Sequence, residues 1–307
     1  MSRCLLVGLG ALLLAQKPYF QQRVEYRIQV KLFPIENLLR GYLRLTYQNN
    51  SPDTLSGLYF HLWPNAYSRR GTAFDRQQRI MGKTSFYFAA KEERGFMDSL
   101  SFQVEGETVK PLPAAKGPAP ATGHSLSLLR RTPDVVWVPF PRPLPPGKAV
   151  VVETPFRVKI PKTFSRMGRQ GLQYAITQWY PKPAVYDHKG WHPLPYLDQG
   201  EFYSEWGKYE VEIEVPENFF VAATGRLETP EVQKWIQQRE TETRRWIEQH
   251  PQESGITEEG VRRIRLPFVG FNIQTPAVGS ITSADLPTWA RDTSIAPSYK
   301  KLRFVQD

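Results

Sequence analysis

The sequence contains almost no cysteine and no long apolar segment. Cys4 is the one cysteine among 307 residues, so the chain beyond it offers no disulfide and no thiol nucleophile. The longest apolar run covers residues 5–15, which is too short to cross a bilayer. We therefore expect no transmembrane span.

The same apolar run indicates export. It follows Arg3, and polar residues resume at Gln16, which is the pattern of a secretory signal peptide over residues 1–16. A buried N-terminal strand or helix is the structural alternative. The predicted location is periplasmic, outer-envelope or extracellular.

The formal charge is +10 with a pI near 9.6, which permits contact with nucleic acid or an anionic surface. The basic residues form no single stripe, and acidic residues lie among them. We therefore expect no nucleic-acid partner.

Alternating apolar and polar residues predict strands. Residues 23–32 alternate strictly, and residues 41–47, 58–63, 150–158 and 209–215 show related patterns. The 27 prolines and 21 glycines indicate many turns. The expected fold is mainly β: a saddle-like antiparallel β-sandwich over residues 17–228, with one inserted helix.

The inserted helix is predicted over residues 229–250, with Thr229 as N-cap and Pro230 at the first helical position. Residues 251–298 are poorly patterned and are interpreted as a connector. Residues 299–307 begin a final strand, and the chain ends within that pattern, which favours truncation.

Several catalytic motifs are missing from the sequence. The five histidines form no H-E-x-x-H motif, and no G-x-S-x-G elbow occurs. His188 and His192 are four residues apart, but Gly190 and Pro193 disfavour a helix, so we expect a turn rather than a zinc site. No catalytic residue and no metal ligand is predicted in this chain.

The segment of residues 173–205, here called the aromatic segment, is dense in aromatic residues, prolines and acids. It carries Asp187, Asp198, Glu201 and Glu205. A pair of them across a sugar would suit a glycosidase. The favoured interpretation is that they bind loop amides and pair with Arg166, Arg169, Lys182 or Lys189.

Several motifs resemble one protein family. They lie at residues 47–55, 59–67, 161–166, 177–187, 190–205, 209–216 and 222–225. These stretches are collinear with the amino-terminal domain of exported zinc aminopeptidases of the aminopeptidase N and leukotriene hydrolase family, in the Bacteroidetes-type branch. The similarity returns at residues 300–307.

The resemblance implies a saddle-shaped β domain followed by a zinc-binding catalytic domain, which is absent from this chain. It implies that zinc belongs to that missing domain, which would be the partner, and that the substrate is a peptide. The family's β domain sends a Gln-x-Glu or Gln-x-Gln loop to the substrate's free amine. Gln178 matches the leading glutamine, whereas Tyr180 stands at the second polar position.

Gln178 is therefore the expected substrate contact and Tyr180 an aromatic wall. In the structural alternative, Gln178 only satisfies loop backbone. The family's activity is peptide hydrolysis, but this chain is expected to be inactive alone. The competing hypothesis is a free-standing, non-catalytic β-sandwich that binds peptides or glycans through the aromatic segment.

Overall fold

The computed structural model describes residues 19–121, 132–249, 256–257, 260–261 and 294–307. The predicted signal peptide lies outside these residues. Most of the predicted connector over residues 251–298 also lies outside them.

Strands make up most of the regular structure. In chain order they are β1 (Arg23–Phe33), β2 (Leu38–Gln48), β3 (Leu55–His61), β4 (Phe96–Asp98), β5 (Gln103–Val104), β6 (Glu107–Thr108), β7 (Leu112–Pro113), β8 (Val135–Leu144), β9 (Ala149–Lys159), β10 (Gly168–Gln170), β11 (Gln173–Ala175), β12 (Lys182–Pro183), β13 (Tyr186–Asp187), β14 (Gly190–Trp191), β15 (Gly207–Pro216), β16 (Arg226–Leu227), β17 (Ile256–Thr257), β18 (Gly260–Val261) and β19 (Tyr299–Gln306). The α-helices are α1 (Ala73–Ile80), α2 (Ser85–Phe88) and α3 (Pro230–Gln249), and short 3-10 helices cover Trp63–Tyr67, Lys91–Glu93 and Ala114–Lys116.

Two sheets form the body of the described chain. The larger has the order β16-β19-β15-β1-β2-β9-β5-β6, with β4 also paired to β9. The smaller has the order β12-β3-β8-β7. The mainly β prediction with an inserted helix is confirmed, but the larger sheet is mixed because β1 and β15 pair in parallel. Such a pair needs a long crossover, supplied here by residues 34–206.

The alternation in β1 decides which face of the larger sheet is buried. Val24, Tyr26 and Ile28 are at most 2% exposed, whereas their polar neighbours point the other way. On that polar face Lys31 binds Glu214 of β15 at 2.5 Å. Period-two patterning therefore predicted this strand correctly.

The two short helices α1 and α2 were not predicted. Helix α1 depends on its cap: the Asp75 N–H donates to Thr72 Oγ1 at 3.2 Å, and the Gly71 N–H donates to the Asp75 carboxylate at 2.7 Å. Eight residues give too little apolar periodicity to reveal such a helix.

Helix α3 begins at Pro230, as expected, and the Gln233 N–H bonds the Thr229 carbonyl. The Thr229 hydroxyl instead accepts the N–H of Arg303 on β19 at 2.8 Å. The predicted cap residue thus joins the helix start to the sheet. Among the residues that the structure describes, no helix has the length and apolarity needed to cross a bilayer.

Gly57 lies where the backbones of β3 and β8 approach closely. A Cβ at this position would lie 2.4 Å from the Val138 carbonyl oxygen and 2.9 Å from Pro139 Cα, both backbone atoms. Gly57→Ala should therefore lower the free energy of unfolding by about 1–3 kcal/mol in urea denaturation. Gly82→Asn is the control, because Gly82 has φ +74 with open space around it and asparagine tolerates that conformation. Equal losses in the two variants would contradict the packing argument.

Candidate functional site

The aromatic segment continues the edge of the smaller sheet. Strand β12 pairs with β3, which sets Lys182 opposite His61 and Pro183 opposite Phe60. The Ala184 N–H then donates to the Tyr59 carbonyl at 2.8 Å. The pairing fixes where the chain before and after β12 projects from the sheet.

The four acids of the segment have different environments. Asp198 accepts hydrogen bonds from Lys83 at 3.0 Å and Ser165 at 2.6 Å. Asp187 accepts the N–H of Lys189 at 2.8 Å. Asp187 therefore binds a loop amide, as expected, whereas Asp198 pairs with Lys83, which is outside the predicted set of basic partners.

His188 lies in the turn of the β13–β14 hairpin, and His192 directly follows the hairpin. Both positions agree with the predicted turn. His192 Nε2 lies 2.9 Å from Asp187 Oδ1, and the His192 ring packs edge-on against Tyr203. His188 is exposed. The contacts of His192 with Asp187 and Tyr203 stabilise one side of the hairpin.

Gln178 is held in an unusual backbone conformation. Its φ is +53°, in the left-handed region, which costs a residue with a side chain on the order of 1 kcal/mol. The preceding Thr177 is anchored by a 2.9 Å hydrogen bond from its hydroxyl to the Arg166 carbonyl. The Gln178 side-chain oxygen accepts a hydrogen bond from Lys182 Nζ at 2.8 Å.

Lys182 is a buried cation. It is 7% exposed, and its Nζ lies 5.3 Å from the Trp63 ring centroid and 5.1 Å from that of Tyr180. No ion pair joins it to a carboxylate within the described part of the chain. Burial lowers the pKa of Lys182 to about 8. Ring faces and one amide oxygen are thus the groups that stabilise its charge.

His61, which lies opposite Lys182 in the β12–β3 pair, is neutral. It is 1% exposed, and its ring lies 4.3 Å from the Trp63 ring. Burial, aided by the nearby Lys182 charge, lowers the pKa of His61 to about 3. His61 is therefore a packed histidine of β3.

Tyr180, in the loop before β12, contacts two tyrosines of the larger sheet. Its hydroxyl lies 3.1 Å from the Tyr209 hydroxyl, and its ring packs edge-on against Tyr26. Both Trp179 and Tyr180 line an open cavity of about 1590 Å³. Other apolar residues of its wall come from β1, β2 and β15: Val30, Leu32, Leu39, Ile213 and Val215.

One acid of the segment also lines this cavity. Glu205 is 9% exposed, and Gln21 and Gln22 hydrogen-bond to it. Burial raises the pKa of Glu205 to about 7 despite those bonds. This carboxyl can therefore hold a proton near neutral pH, unlike exposed acids.

A zinc ion has no set of ligands in this part of the chain. No group of three or more histidine, cysteine or acidic side chains is arranged for a metal among the described residues. The residues present therefore do not fit the zinc that the resemblance implies for the family.

Gln178 and Tyr180 stay predictions as site residues, and the sequence did not point to Lys182. A lysine between Pro181 and Pro183 has the pattern of an exposed loop, and only the pairing of β12 with β3 buries it. Its spacing of four residues from Gln178 was the one available signal.

Comparison with known proteins gives only a partial structural similarity. No protein-family profile matches the sequence, and no curated protein matches it. The M1 zinc metallopeptidase from Deinococcus radiodurans is similar in structure, with 17% identity, a TM-score of 0.36, and coverage of 70% of this chain and 36% of that one.

A point mutant of that enzyme gives a TM-score of 0.37 at 17% identity, over 69% of this chain and 35% of the other. The mutant bound to a Tyr-Ser-Ala substrate gives 0.36 at 17% identity, over 68% and 36%. The chain thus spans little more than a third of the length of these structures.

Replacing Lys182 by methionine should change the pH dependence of stability. The folded pKa of about 8 lies below the ordinary 10.5, so the unfolded chain binds more protons between these values and wild-type stability rises across that window. Below pH 8 the burial of the charge costs on the order of 3 kcal/mol. Lys182→Met, which also loses the bond to Gln178, should therefore be more stable at pH 7, with its advantage shrinking towards pH 10.

Urea denaturation of both variants at several pH values measures this difference. Lys116→Met, which removes an exposed lysine, controls for net charge. A Lys182→Met advantage that stays constant from pH 7 to pH 10 would refute the buried-cation assignment.

Glu205→Gln should show the opposite pH dependence of stability. The folded pKa of about 7 lies above the ordinary 4.5, so the folded chain binds more protons between these values and wild-type stability falls as pH rises through them. The variant should match wild type near pH 4.5 and exceed it by on the order of 3 kcal/mol at pH 8. Glu201→Gln, at a side chain 93% exposed, is the matched control in the same denaturation series. A pH-independent difference would contradict the assignment.

Proposed function

We propose that this chain is the amino-terminal β domain of an exported zinc aminopeptidase and forms one wall of its peptide-binding cleft. The catalytic domain is the partner, zinc is bound there, and this chain has no catalysis of its own. The substrate is a peptide whose N-terminal residue is hydrolysed. The chain is exported through residues 1–16.

The observation that carries the proposal is the position of the loop before β12. Trp179 and Tyr180 line the cavity of about 1590 Å³, and Gln178 lies next to them in a constrained conformation. A cavity of this size with an apolar and aromatic wall suits an extended peptide.

The collinear family motifs also support the proposal. The motif at residues 59–67 covers the end of β3 and the following 3-10 helix, and the motif at residues 209–216 lies in β15. The motif at residues 177–187 contains the loop itself. Family-like residues thus occur both in the sheets and at the cavity.

In this proposal the chain binds and orients the peptide. Gln178 is the polar contact and Tyr180 an aromatic wall that Tyr209 holds in place through the hydroxyl pair at 3.1 Å. Aromatic faces pack against peptide side chains without selecting strongly among them.

The alternative is a free-standing, non-catalytic protein that binds peptides or glycans. Trp206, which is 85% exposed, belongs to the cavity lining and supplies a flat surface for a sugar ring. This alternative requires affinity for an oligosaccharide or peptide with no need of a second domain.

Binding and hydrolysis by the 307-residue chain test the proposal. We expect no hydrolysis of aminoacyl p-nitroanilides with or without added zinc, and calorimetric binding of short peptides that Gln178→Ala and Tyr180→Ala each weaken about tenfold. Ile80→Ala, at an exposed position of α1, is the control. Zinc-dependent hydrolysis by this chain alone would refute the fragment assignment, and oligosaccharide binding without peptide binding would favour the alternative.

A further inference from the structure

We propose that Glu205 is the residue of this chain that binds the free ammonium group of the peptide, by forming an ion pair with it at the cavity wall. The inference rests on the proposed function and deepens it, because a peptide whose N-terminal residue is hydrolysed carries a free amine. The contact with that amine is thereby assigned to the end of the aromatic segment and not to the loop before β12.

Three acidic side chains line the cavity, and they differ in their partners. Glu25 accepts a hydrogen bond from Arg23 at 2.7 Å, and Asp307 pairs with Lys208 at 2.8 Å. No ion pair of the described residues includes Glu205, and none of their positive charges lowers its pKa. Of the three lining acids, Glu205 is therefore the one left to pair with a cation of the ligand.

Neutral donors hold the Glu205 carboxyl in place. The backbone N–H of Gln22 and the side chain of Gln21 hydrogen-bond to it. Asn50 fixes both glutamines, because its backbone N–H donates to the Gln22 side-chain oxygen at 2.7 Å and its side chain donates to the Gln21 carbonyl at 2.9 Å. These bonds orient the carboxyl without cancelling its charge, so a ligand meets a site that is already formed.

The titratable groups around Glu205 supply no positive charge either. The charge of Asp187 acts against ionisation of Glu205. Burial and, to a lesser degree, the charge of Glu205 raise the pKa values of Tyr26, Tyr47 and Tyr203, so these hydroxyls are neutral at pH 7. A carboxyl that is 9% exposed in such surroundings, with a pKa raised to about 7, is typical of a functional site in a cleft. A bound ammonium group would supply the missing counter-charge.

Aromatic rings of the cavity favour a cationic ligand as well. Trp206 directly follows Glu205, is 85% exposed and lines the same cavity, as do Trp179 and Tyr180. Ring faces attract ammonium groups and pack against apolar side chains. A neutral oligosaccharide carries no charge for Glu205 to bind, so this carboxyl favours a peptide over a glycan.

Gln178 is less suited to the amine than Glu205. Its side-chain oxygen already accepts a hydrogen bond from the Lys182 ammonium at 2.8 Å. An amide oxygen also offers only a dipole, whereas a carboxylate offers a full negative charge. Gln178 is then a contact for an uncharged polar group of the peptide, which differs from what the family resemblance implies for this glutamine.

The first test compares two peptides on the 307-residue chain by calorimetry. The probes are alanyl-leucyl-alaninamide, which has a free amine, and its Nα-acetyl form. At pH 7.5 the free-amine peptide should bind wild type at least about tenfold more tightly, because only it can form the ion pair. At pH 6 its affinity should be roughly fivefold lower, since Glu205 is then mostly protonated, whereas the affinity of the acetylated peptide should not change.

Glu205→Gln keeps the size of the side chain and removes its charge. The preference for the free amine should fall to within about twofold in this variant, while the affinity for the acetylated peptide stays at the wild-type level. Glu201→Gln, at the side chain that is 93% exposed, is the matched control and should keep the wild-type preference and its pH dependence.

Proton release gives a readout that a merely structural role of Glu205 would not change. Binding of an ammonium group should lower the pKa of Glu205 and release a proton near pH 7. Calorimetry of the free-amine peptide in buffers of different ionisation enthalpy measures this release. The acetylated peptide, and the free-amine peptide with Glu205→Gln, should release less than about a third as much.

The outcomes separate this inference from the proposed function. If Gln178→Ala and Tyr180→Ala weaken peptide binding but wild type binds both peptides equally, the proposed function stands and the inference is wrong. A preference for the free amine that survives in Glu205→Gln would also overturn the inference. If wild type binds neither peptide, the proposed function fails and the inference fails with it.

Discussion

The side-chain alternation of β1 is the constraint on which the larger sheet depends. This strand lies between β2 and β15, so its register fixes both neighbours. A slip of one residue would turn Val24, Tyr26 and Ile28 to the polar face and bury Arg27. The apolar face it does present supplies part of the core and, at Val30 and Leu32, part of the cavity wall.

A second constraint operates at the edge of the smaller sheet. Pairing β12 with β3 buries Lys182, and the buried ammonium then organises the residues around it. Trp63 and Tyr180 provide ring faces, and Gln178 provides an oxygen at the expense of a left-handed backbone. The buried charge and the left-handed backbone cost stability locally, and the Gln178 amide has a defined orientation as a result.

The acids of the aromatic segment have different roles because their surroundings differ. Asp187 and Asp198 bind hairpin and loop groups and are structural. Glu205 lines the cavity, and because burial raises its pKa to about 7, its charge changes near neutral pH. These acids could not be ranked from their sequence positions, because burial by distant segments sets the environment of each one.

The sequence by itself determined the strands whose alternation is long, the mainly β class and the inserted helix, because period-two and helical patterning record which face each element buries. It also singled out Gln178 through its match to a family loop, and Tyr180 as the residue that replaces the second polar residue of that loop. Only the tertiary structure decided that β1 and β15 run parallel, since strand direction follows from a crossover between distant residues. Only the tertiary structure, likewise, made Lys182 a buried cation facing Gln178, because burial depends on which strand lies opposite and not on the prolines beside it.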